Sequence, residues 1–394
     1  MIRIFFKTIW NNRRRNILVF IELFMISLVM VNLTIYLVNM YTIYRIKNCY
    51  DARNVILVDI WNKNTEDKNI SEQSFQNLKK VFGTNSFVES VSFSNSAIPY
   101  NYNLYSTDFK HDSDHFNLAL RQVDIDYAKV MKITPLKGRW FDETDIGKAV
   151  APILISKDID EKYFKGDAVG KRIGEGKIFY EIIGVADRFK RSDIEKPNSF
   201  AFFLKDSLKV QTILGISMLI RVKENKTADM LAVAEREVYS TLNPENWTIG
   251  SLNSLENMHD QQNVQNYQRN YLTVIIGLFI MINVFLGTVG ILWYNTNLRI
   301  HEIGIKRALG STGKGIKRLL ITENMVIAGA GLLIVILIML QIPSFVDGGQ
   351  TEPRVLSQSI WISVITMIIL VLLSTWIPAS IASKIRPAIA LKTE

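Results

Sequence analysis

Four long apolar stretches constrain this chain more than any other feature of its sequence. They cover residues 17–40, 271–294, 320–342 and 357–378, and none of them contains Lys or Arg. Each reaches the roughly 20 residues that a helix needs to cross the hydrocarbon core of a bilayer, whereas a membrane-spanning strand needs about half that length. We therefore predict an α-helical membrane protein with four transmembrane helices.

The charges outside these stretches predict the orientation of the chain. Residues 1–16 hold five basic residues and no acidic one, whereas residues 41–270 hold 31 basic and 31 acidic residues. Residues 295–319 hold six basic residues and one acidic residue, and residues 379–394 hold three basic residues. By the positive-inside rule, these three basic segments are a cytoplasmic N-terminal segment, a cytoplasmic loop and a cytoplasmic tail.

This orientation places residues 41–270 outside the cytoplasm, together with a short outer loop at residues 343–356. The net charge of +9 is then a consequence of topology, so we predict no nucleic-acid partner.

Residues 41–270 are long enough for a core of their own, and short β-rich stretches alternate with helical ones. We predict an extracytoplasmic α+β domain in two lobes. The predicted strands are residues 55–61, 87–93, 118–123, 152–156, 179–186, 200–204 and 216–222; the clearest helices are residues 71–81 and 227–242, with Thr227 as an N-cap.

Two polar side chains inside the predicted spans are candidate functional residues. Glu22 lies in the first span, and we predict it to be the one buried charge of the four spans; Asn283 lies in the second. An ionisable group in a membrane span is a functional candidate by default, although Glu22 could instead pair with Arg13–Arg15 at the interface. The small residues Gly277, Gly287 and Gly290, and the run at 329–331, predict close helix packing or dimerisation.

The sequence between the spans does not support catalysis. The segment HDSDH at residues 111–115 has metal-ligand side chains, but a solvated acidic loop is the simpler interpretation, and we predict no metal site. No arrangement of Ser, His, Asp or Cys predicts a nucleophilic site. The polar residues 257–271 just before the second span predict a helix that continues out of the membrane as a stalk.

The cytoplasmic loop is the segment with the most specific pattern. Leu298, Ile305, Ala308 and Leu309 can share one face of a short helix, and Glu302 and Lys306 form a favourable i,i+4 pair. Gly310, Gly313 and Gly315 are predicted to break this helix before the third span. Such a helix could lie on anionic lipid or dock on a partner protein.

The loop also carries a family resemblance. Its sequence EIGIKRALGSTGKGIKRLLITENMVI resembles the signature segment of the MacB/FtsX-type permeases of ATP-binding-cassette (ABC) systems. PLKGRWFDETD, PILISKDIDEKYFKGDAVGKRI and FYEIIGVADRFK are similar to the MacB-like periplasmic core of that family, and PASIASKIRPAIALKTE is similar to its usual C-terminal ending. The resemblance implies a bacterial inner-membrane protein whose loop docks on a cytoplasmic ATP-binding subunit. The positions that match the docking motif are Glu302, Ile303, Gly304, Lys306, Arg307, Ala308, Leu309 and Gly310.

The chain has no phosphate-binding GxxxxGK[ST] loop of its own. The nearest segments, GKRIGEGK at residues 170–177 and GSTGKG at residues 310–315, have the wrong spacing and lack Ser or Thr after the Lys. We therefore predict that the chain is not an enzyme and holds no cofactor. In this interpretation the partner subunit binds ATP and Mg²⁺ and hydrolyses the nucleotide.

Two functions are compatible with the resemblance. The first is a permease subunit of an export or mechanotransmission complex, which pairs with a second copy or a homologous permease as a dimer and acts on peptide, antibiotic or lipid-type substrates. A periplasmic adaptor would accompany this function. The second is an FtsX-like regulator that switches an extracytoplasmic cell-wall hydrolase and transports nothing.

Overall fold

The computed structural model describes residues 13–63, 72–101, 105–175, 178–204, 216–341 and 352–384. The chain divides into two compact units. We call residues 43–267 the α+β unit, and residues 1–42 together with 268–394 the membrane unit. Residues 1–12, 342–351 and 385–394, which include much of the predicted N-terminal segment, outer loop and tail, lie outside the described residues.

The described residues form nine α-helices and eleven strands. The helices are α1 (Arg13–Arg45), α2 (Glu72–Gly83), α3 (Tyr127–Met131), α4 (Lys157–Tyr163), α5 (Thr227–Thr241), α6 (Leu255–Asn297), α7 (Ile300–Ala308), α8 (Gly313–Gln341) and α9 (Pro353–Ser383). The strands are β1 (Val55–Asn62), β2 (Val88–Asn95), β3 (Tyr105–His111), β4 (Asp114–Val123), β5 (Lys137–Gly138), β6 (Ala151–Ser156), β7 (Arg172–Glu175), β8 (Ile178–Ala186), β9 (Phe200–Leu204), β10 (Ile216–Val222) and β11 (Trp247–Ser254).

Four of the helices, α1, α6, α8 and α9, are long and apolar enough to cross a membrane, which confirms the prediction of four spans. They extend beyond the predicted apolar windows, because a helix continues into polar sequence where its residues still favour helical geometry. Helix α1 ends at Arg45, and α8 begins at Gly313, inside the segment predicted as loop. The predicted stalk and the second span form the single helix α6.

Helix packing in the membrane unit uses some of the predicted small residues. A Cβ added to Gly277 of α6 would lie 2.8 Å from the Leu33 side chain of α1, and one added to Gly331 of α8 would lie 3.3 Å from the backbone of Phe24. Gly290 and Gly329 have nothing that close, since a Cβ added there would meet no atom within 4 Å. The first two glycines therefore allow close helix contacts within the chain.

In the α+β unit, all eleven strands belong to one sheet of two parts. The first part is antiparallel, in the order β11-β1-β10-β2, with Val58 opposite Met218. In the second part, β4, β3, β7, β8, β6 and β9 pair in succession, and β9 pairs back onto β4 in parallel, which closes the ring of strands. The two parts are consistent with the two predicted lobes, although Val55 and Leu57 of β1 share a buried cluster with residues of β6 and β9.

Strand β1 shows why the sequence signal is strong in the first part. Ile56, Val58 and Ile60 point into a core that includes Phe75 of α2 and residues of α5, whereas Val55 and Leu57 point into a second core on the opposite face. A strand covered on both faces is apolar at consecutive positions rather than at alternate ones. The run VILVDIW predicts such a strand for this reason.

Each of the seven predicted strands and both predicted helices are present, but four strands were not predicted: β3, β5, β7 and β11. Strands β3 and β11 are polar, with mostly exposed or half-buried side chains, so they lack the apolar signal. The prediction of Thr227 as an N-cap was wrong, because helix α5 begins at Thr227 and Lys226 is the N-cap residue, without a capping side-chain hydrogen bond.

Candidate partner-docking site

Helix α7 forms the centre of the predicted docking loop, and a glycine cap ends it. The Gly310 amide donates to the carbonyl oxygen of Arg307 at 3.1 Å, and the Ser311 amide donates to that of Lys306 at 3.0 Å. These two bonds make a Schellman cap, which requires positive φ at its glycine. Gly310 has φ of +97°. This glycine therefore ends the helix, as its position in the sequence predicts.

Helix α8 begins only three residues later, because a threonine caps its N-terminus. Thr312 Oγ1 accepts a hydrogen bond from the Gly315 amide at 3.1 Å, which is the geometry of an N-cap. Gly313 and Gly315 lie inside the first turn of α8, so the prediction that they break a helix was wrong. Gly313 has another function: an added Cβ would lie 2.9 Å from the carbonyl oxygen of Ser383, at the end of α9.

The buried side of α7, which we call its inner side, packs in a small apolar cluster. Ile303 packs there with residues of α8 and α9: Ile316, Leu320, Ala379 and Ala382. Gly304 is also buried. Two of the eight residues of the predicted docking motif thus pack within the chain, and we assign them a structural role.

A chain of four alternating charges runs along the loop. Arg299 Nη1 lies 2.6 Å from Glu323 Oε2, and Arg299 Nε donates to Glu302 Oε2 at 3.1 Å. Lys306 Nζ lies 2.7 Å from Glu302 Oε1, so the structure contains the i,i+4 pair predicted from the sequence. Burial alone would raise the pKa of Glu302, but the hydrogen bonds from Arg299 and Lys306 outweigh it and lower that pKa to about 2.

The pairing of Arg299 with Glu323 was missed in the sequence. Both residues are buried, with 6% and 4% of their surface exposed. The prediction that Glu22 is the one buried charge of the spans was therefore wrong, since Glu323 belongs to α8 and to the predicted third span. The available signal was the Glu323 carboxylate in the apolar run of the third span, with Arg299 at the other end of the basic loop. The sequence did not connect them, because 24 residues separate the two partners.

The outer side of α7, together with the residues that flank this helix, presents apolar side chains that the described chain leaves exposed. Leu309 is 82% exposed, Ile305 is 42% exposed and Leu298 is 57% exposed. Ala308 and Gly310 are also exposed, whereas Lys306 and Arg307 are half-buried. Arg307 Nη1 donates to the carbonyl oxygen of Ser311 at 3.3 Å, so this guanidinium group contacts the turn itself.

The structure does not bring the two intramembrane candidates together. Glu22 faces the second span, where a Cβ added to Gly287 would lie 2.9 Å from Glu22 Oε1. Asn283 lies on an exposed part of the same span, and its amide donates to the carbonyl oxygen of Phe279 at 2.8 Å. The side chains of Arg13–Arg15, the alternative partners of Glu22, lie outside the described part of the chain.

The HDSDH segment forms the turn of the β3–β4 hairpin. His111 pairs with Asp114 across the two strands, and its Nδ1 lies 2.9 Å from the carbonyl oxygen of Arg172. Within the ranges that the structure describes, no three His, Cys, Asp or Glu side chains are grouped as metal ligands would be. The hairpin therefore offers no metal site in the described residues.

Comparisons with known families decide which family has this arrangement. The model of the MacB-like periplasmic core domain matches residues 25–236, and that of the FtsX-like permease C-terminal domain matches residues 274–387. The first match alone covers more than half of the 394 residues. The chain belongs to the MacB/FtsX-like family of ABC permeases.

Two of the solved structures similar to this permease are outer domains of ABC-type proteins. The extracellular domain of the ABC-type transporter YknZ from Gram-positive bacteria is 20% identical, with 50% of this chain and 100% of that chain covered and a TM-score of 0.37. The periplasmic region of MacB from Actinobacillus actinomycetemcomitans is 15% identical, with 55% and 94% covered and the same TM-score of 0.37. No curated protein sequence matches the permease.

The family motifs of the α+β unit have a structural explanation in this permease. In the KGRWF segment, Arg139 binds the buried carboxylate of Asp145 through two hydrogen bonds, of 2.5 and 2.7 Å. Lys137 Nζ lies 2.7 Å from Asp160 Oδ2, and the other Asp160 oxygen accepts from the Ala168 amide at 3.0 Å. These motifs therefore contribute ion pairs and hydrogen bonds that stabilise the fold of the unit.

Proposed function

We propose that this permease couples ATP hydrolysis by a separate cytoplasmic subunit to movement of its extracytoplasmic domain, and that the outer face of α7 is the docking surface. Family membership implies association with an ABC ATPase. Both termini and α7 then lie in the cytoplasm, and a second copy or a homologous permease completes the complex. The match to a MacB-like core favours export of peptide, antibiotic or lipid-type substrates over regulation of a cell-wall hydrolase.

One observation carries the choice of docking surface. The buried side of α7 is held by the packing of Ile303 and by the ion pairs of Arg299 and Glu302. Leu309 and Ile305 are exposed to solvent. Apolar side chains on a rigid support are suited to bury against a partner protein. The eight motif residues thus divide into an inner group that positions the helix and an outer group, Ala308, Leu309 and Gly310, that is available for contact.

The continuity of helix α6 supports the proposed transmission of motion. Its 43 residues correspond to about 65 Å of unbroken helix, at a rise of 1.5 Å per residue. It begins in the α+β unit and ends at Asn297, two residues before Arg299. In the proposed mechanism, motion at α7 passes to the end of α6 and along this helix.

Replacing Leu309 with Asp tests the docking surface. The side chain is 82% exposed, so the change should leave the fold intact while it places a charge where an apolar contact forms. We expect a nucleotide-binding subunit to co-elute in stoichiometric amount with the wild-type permease, solubilised from its native membrane, and to be reduced at least tenfold with Leu309→Asp. Mass spectrometry of the eluate, with and without a non-hydrolysable ATP analogue, measures this.

Ser311→Asp is the matched control, because it adds the same charge at an exposed position of the adjacent turn. It should retain the subunit. Reversing the charges of Lys306 and Arg307 is a less specific test, since both side chains bond within the loop. Equal recovery of the subunit with Leu309→Asp and wild type would assign the outer face of α7 to lipid, and absence of any nucleotide-binding subunit from the wild type would refute the proposed function.

A further inference from the structure

The connection between α7 and α8 is a short turn about which α7 could rotate. It consists of residues 309–312, and Gly310 in this turn has positive φ. The apolar contact of α7 with the rest of the membrane unit depends on Ile303, the one α7 residue in the buried cluster. Apart from Ile303 and the buried Gly304, α7 is joined to its neighbours by two short connections, residues 298–299 after α6 and the turn before α8. A nine-residue helix held in this way could change its angle to α8 at little energetic cost.

Arg299 supplies a second attachment, at the opposite end of α7. It is the residue immediately before the helix, and its Nη1 contacts Glu323 Oε2 at 2.6 Å. Glu323 lies ten residues into α8, which is about 15 Å from the start of that helix. A helix that is held at both ends, here by the turn at Gly310 and by the Arg299–Glu323 pair, cannot rotate about either end.

The same guanidinium group also holds α7 itself. Arg299 Nε donates to Glu302 in the first turn, and Glu302 binds Lys306 in the last turn. The four charges sum to zero, and each of the two central residues contacts two partners of opposite charge. Buried ion pairs are a poor source of stability, because desolvation offsets their attraction, but their directional geometry can specify one arrangement of two elements.

We propose that the Arg299–Glu323 ion pair is the link that makes helix α7 move as one rigid body with the third transmembrane helix. The proposal rests on the proposed function, because the force to be transmitted would come from an ATPase docked on Leu309 and Ile305. Arg299 and Glu323 are positioning residues in this scheme and do not contact the partner. Without their pair, α7 would rotate about the turn at Gly310 and the force would be lost at that turn.

Spin labels on the two helices test the rigidity of the link. Cysteines replace His301, in the first turn of α7, and Leu337, on an exposed part of α8, in a Cys49→Ser background. Pulsed electron–electron double resonance on the full chain in lipid nanodiscs then gives the distribution of distances between the labels. We expect a narrow distribution for the wild-type pair and at least twice that width for Glu323→Gln.

The swapped variant Arg299→Glu with Glu323→Arg, which also carries Glu302→Gln so that Glu302 does not repel the new carboxylate, distinguishes a positioning role from a general loss of structure. It restores an ion pair of opposite polarity, so the distribution should return to the wild-type width. Lys314→Gln removes one charge from an exposed site of the same segment and should change nothing. Two results would overturn the proposal. One is a distance distribution of wild-type width in Glu323→Gln, and the other is a broad distribution in a swapped variant that elutes as a single folded species.

The partner subunit separates failure of the link from failure of the docking proposal. Glu323→Gln should retain the co-eluting ATP-binding subunit in wild-type amount, whereas Leu309→Asp should lose it. In the wild-type complex, addition of the non-hydrolysable ATP analogue should leave the distance between the labels unchanged. In the Glu323→Gln complex, the same addition should shift or broaden the distribution of that distance. A shift of equal size in both proteins contradicts the rigid link, even where docking is intact.

Discussion

Asp145 shows how a single buried carboxylate organises a family motif. It is fully buried, and it accepts hydrogen bonds from the Arg139 guanidinium group and from Lys148 Nζ at 2.7 Å. Its Oδ2 also accepts from the Asp142 amide at 3.0 Å, which closes a capping box around residues 142–145. Burial alone would raise the pKa of Asp145, but these hydrogen bonds outweigh it and hold the pKa well below its usual value of 3.8.

The substitution Asp145→Asn should destabilise the α+β unit by about 2 kcal/mol, because it removes the buried carboxylate that binds Arg139 and leaves this partly solvated guanidinium group only the exposed Asp142 as a charged partner. A carboxylate with a lowered folded pKa stabilises the protein above its unfolded pKa, and this contribution is lost as the pH falls through the folded value. The wild type should therefore lose stability below about pH 4 more steeply than the variant does.

Urea unfolding of the full chain in detergent, followed by fluorescence of the nearby Trp140, measures this difference at several pH values. Asp229→Asn is the matched control, since Asp229 pairs with Lys226 at 2.7 Å on the surface of the same unit. Its cost should stay below about 0.5 kcal/mol. Equal losses in both variants would mean that burial of the Asp145 pair does not matter.

At the scale of elements, the segment after β8 joins the two ends of the α+β unit. Its Lys190 carbonyl accepts from Tyr50, which follows α1, and its Asp193 carboxylate contacts His259 and Asn263 of α6 at 2.9 and 3.1 Å. The chain enters the unit after α1 and leaves it through α6. One loop therefore contacts both the first and the last segments of the α+β unit.

Asp193→Asn should loosen the attachment of α6 within the α+β unit. The substitution removes the charge that faces His259 and Lys190, and charge-assisted hydrogen bonds contribute about 1.5–3 kcal/mol each. We expect amide hydrogen exchange to become at least tenfold faster in residues 188–194 and 257–264 of the full chain. Asp260→Asn is the control: Asp260 also contacts His259, at 3.1 Å, but its side chain is 78% exposed, so its effect should be smaller.

At the scale of the whole molecule, the orientation in the membrane is a prediction that labelling can test. Burial raises the pKa of the Cys49 thiol to about 12, and Cys49→Ser removes this one native cysteine. Single cysteines at Glu235 and Ser311, both exposed, then report the α+β unit and the docking loop. A membrane-impermeant maleimide should label Glu235→Cys in intact cells and Ser311→Cys only after the cells are opened. The reverse pattern would invert the topology.

The membrane helices and the central strands could be predicted from the sequence because each depends on local composition. Four apolar windows of bilayer length have few alternatives in a cell, and strands β1 and β10 are apolar along nearly their whole length. Strands β3 and β11 could not be found in this way, since their polar residues form strands only through pairing with β4 and β1. Their hydrogen bonds, rather than their side chains, place them in the sheet.

The sequence by itself determined the spans, the charge asymmetry and the family, and it predicted the position of the docking motif. Only the tertiary structure decided which motif residues face inward, because burial on a nine-residue helix depends on what packs beside it. It also paired Arg299 with Glu323 across 24 residues of sequence. Hydropathy is a property of each residue, whereas an ion pair is a property of two, and folding is what brings those two together.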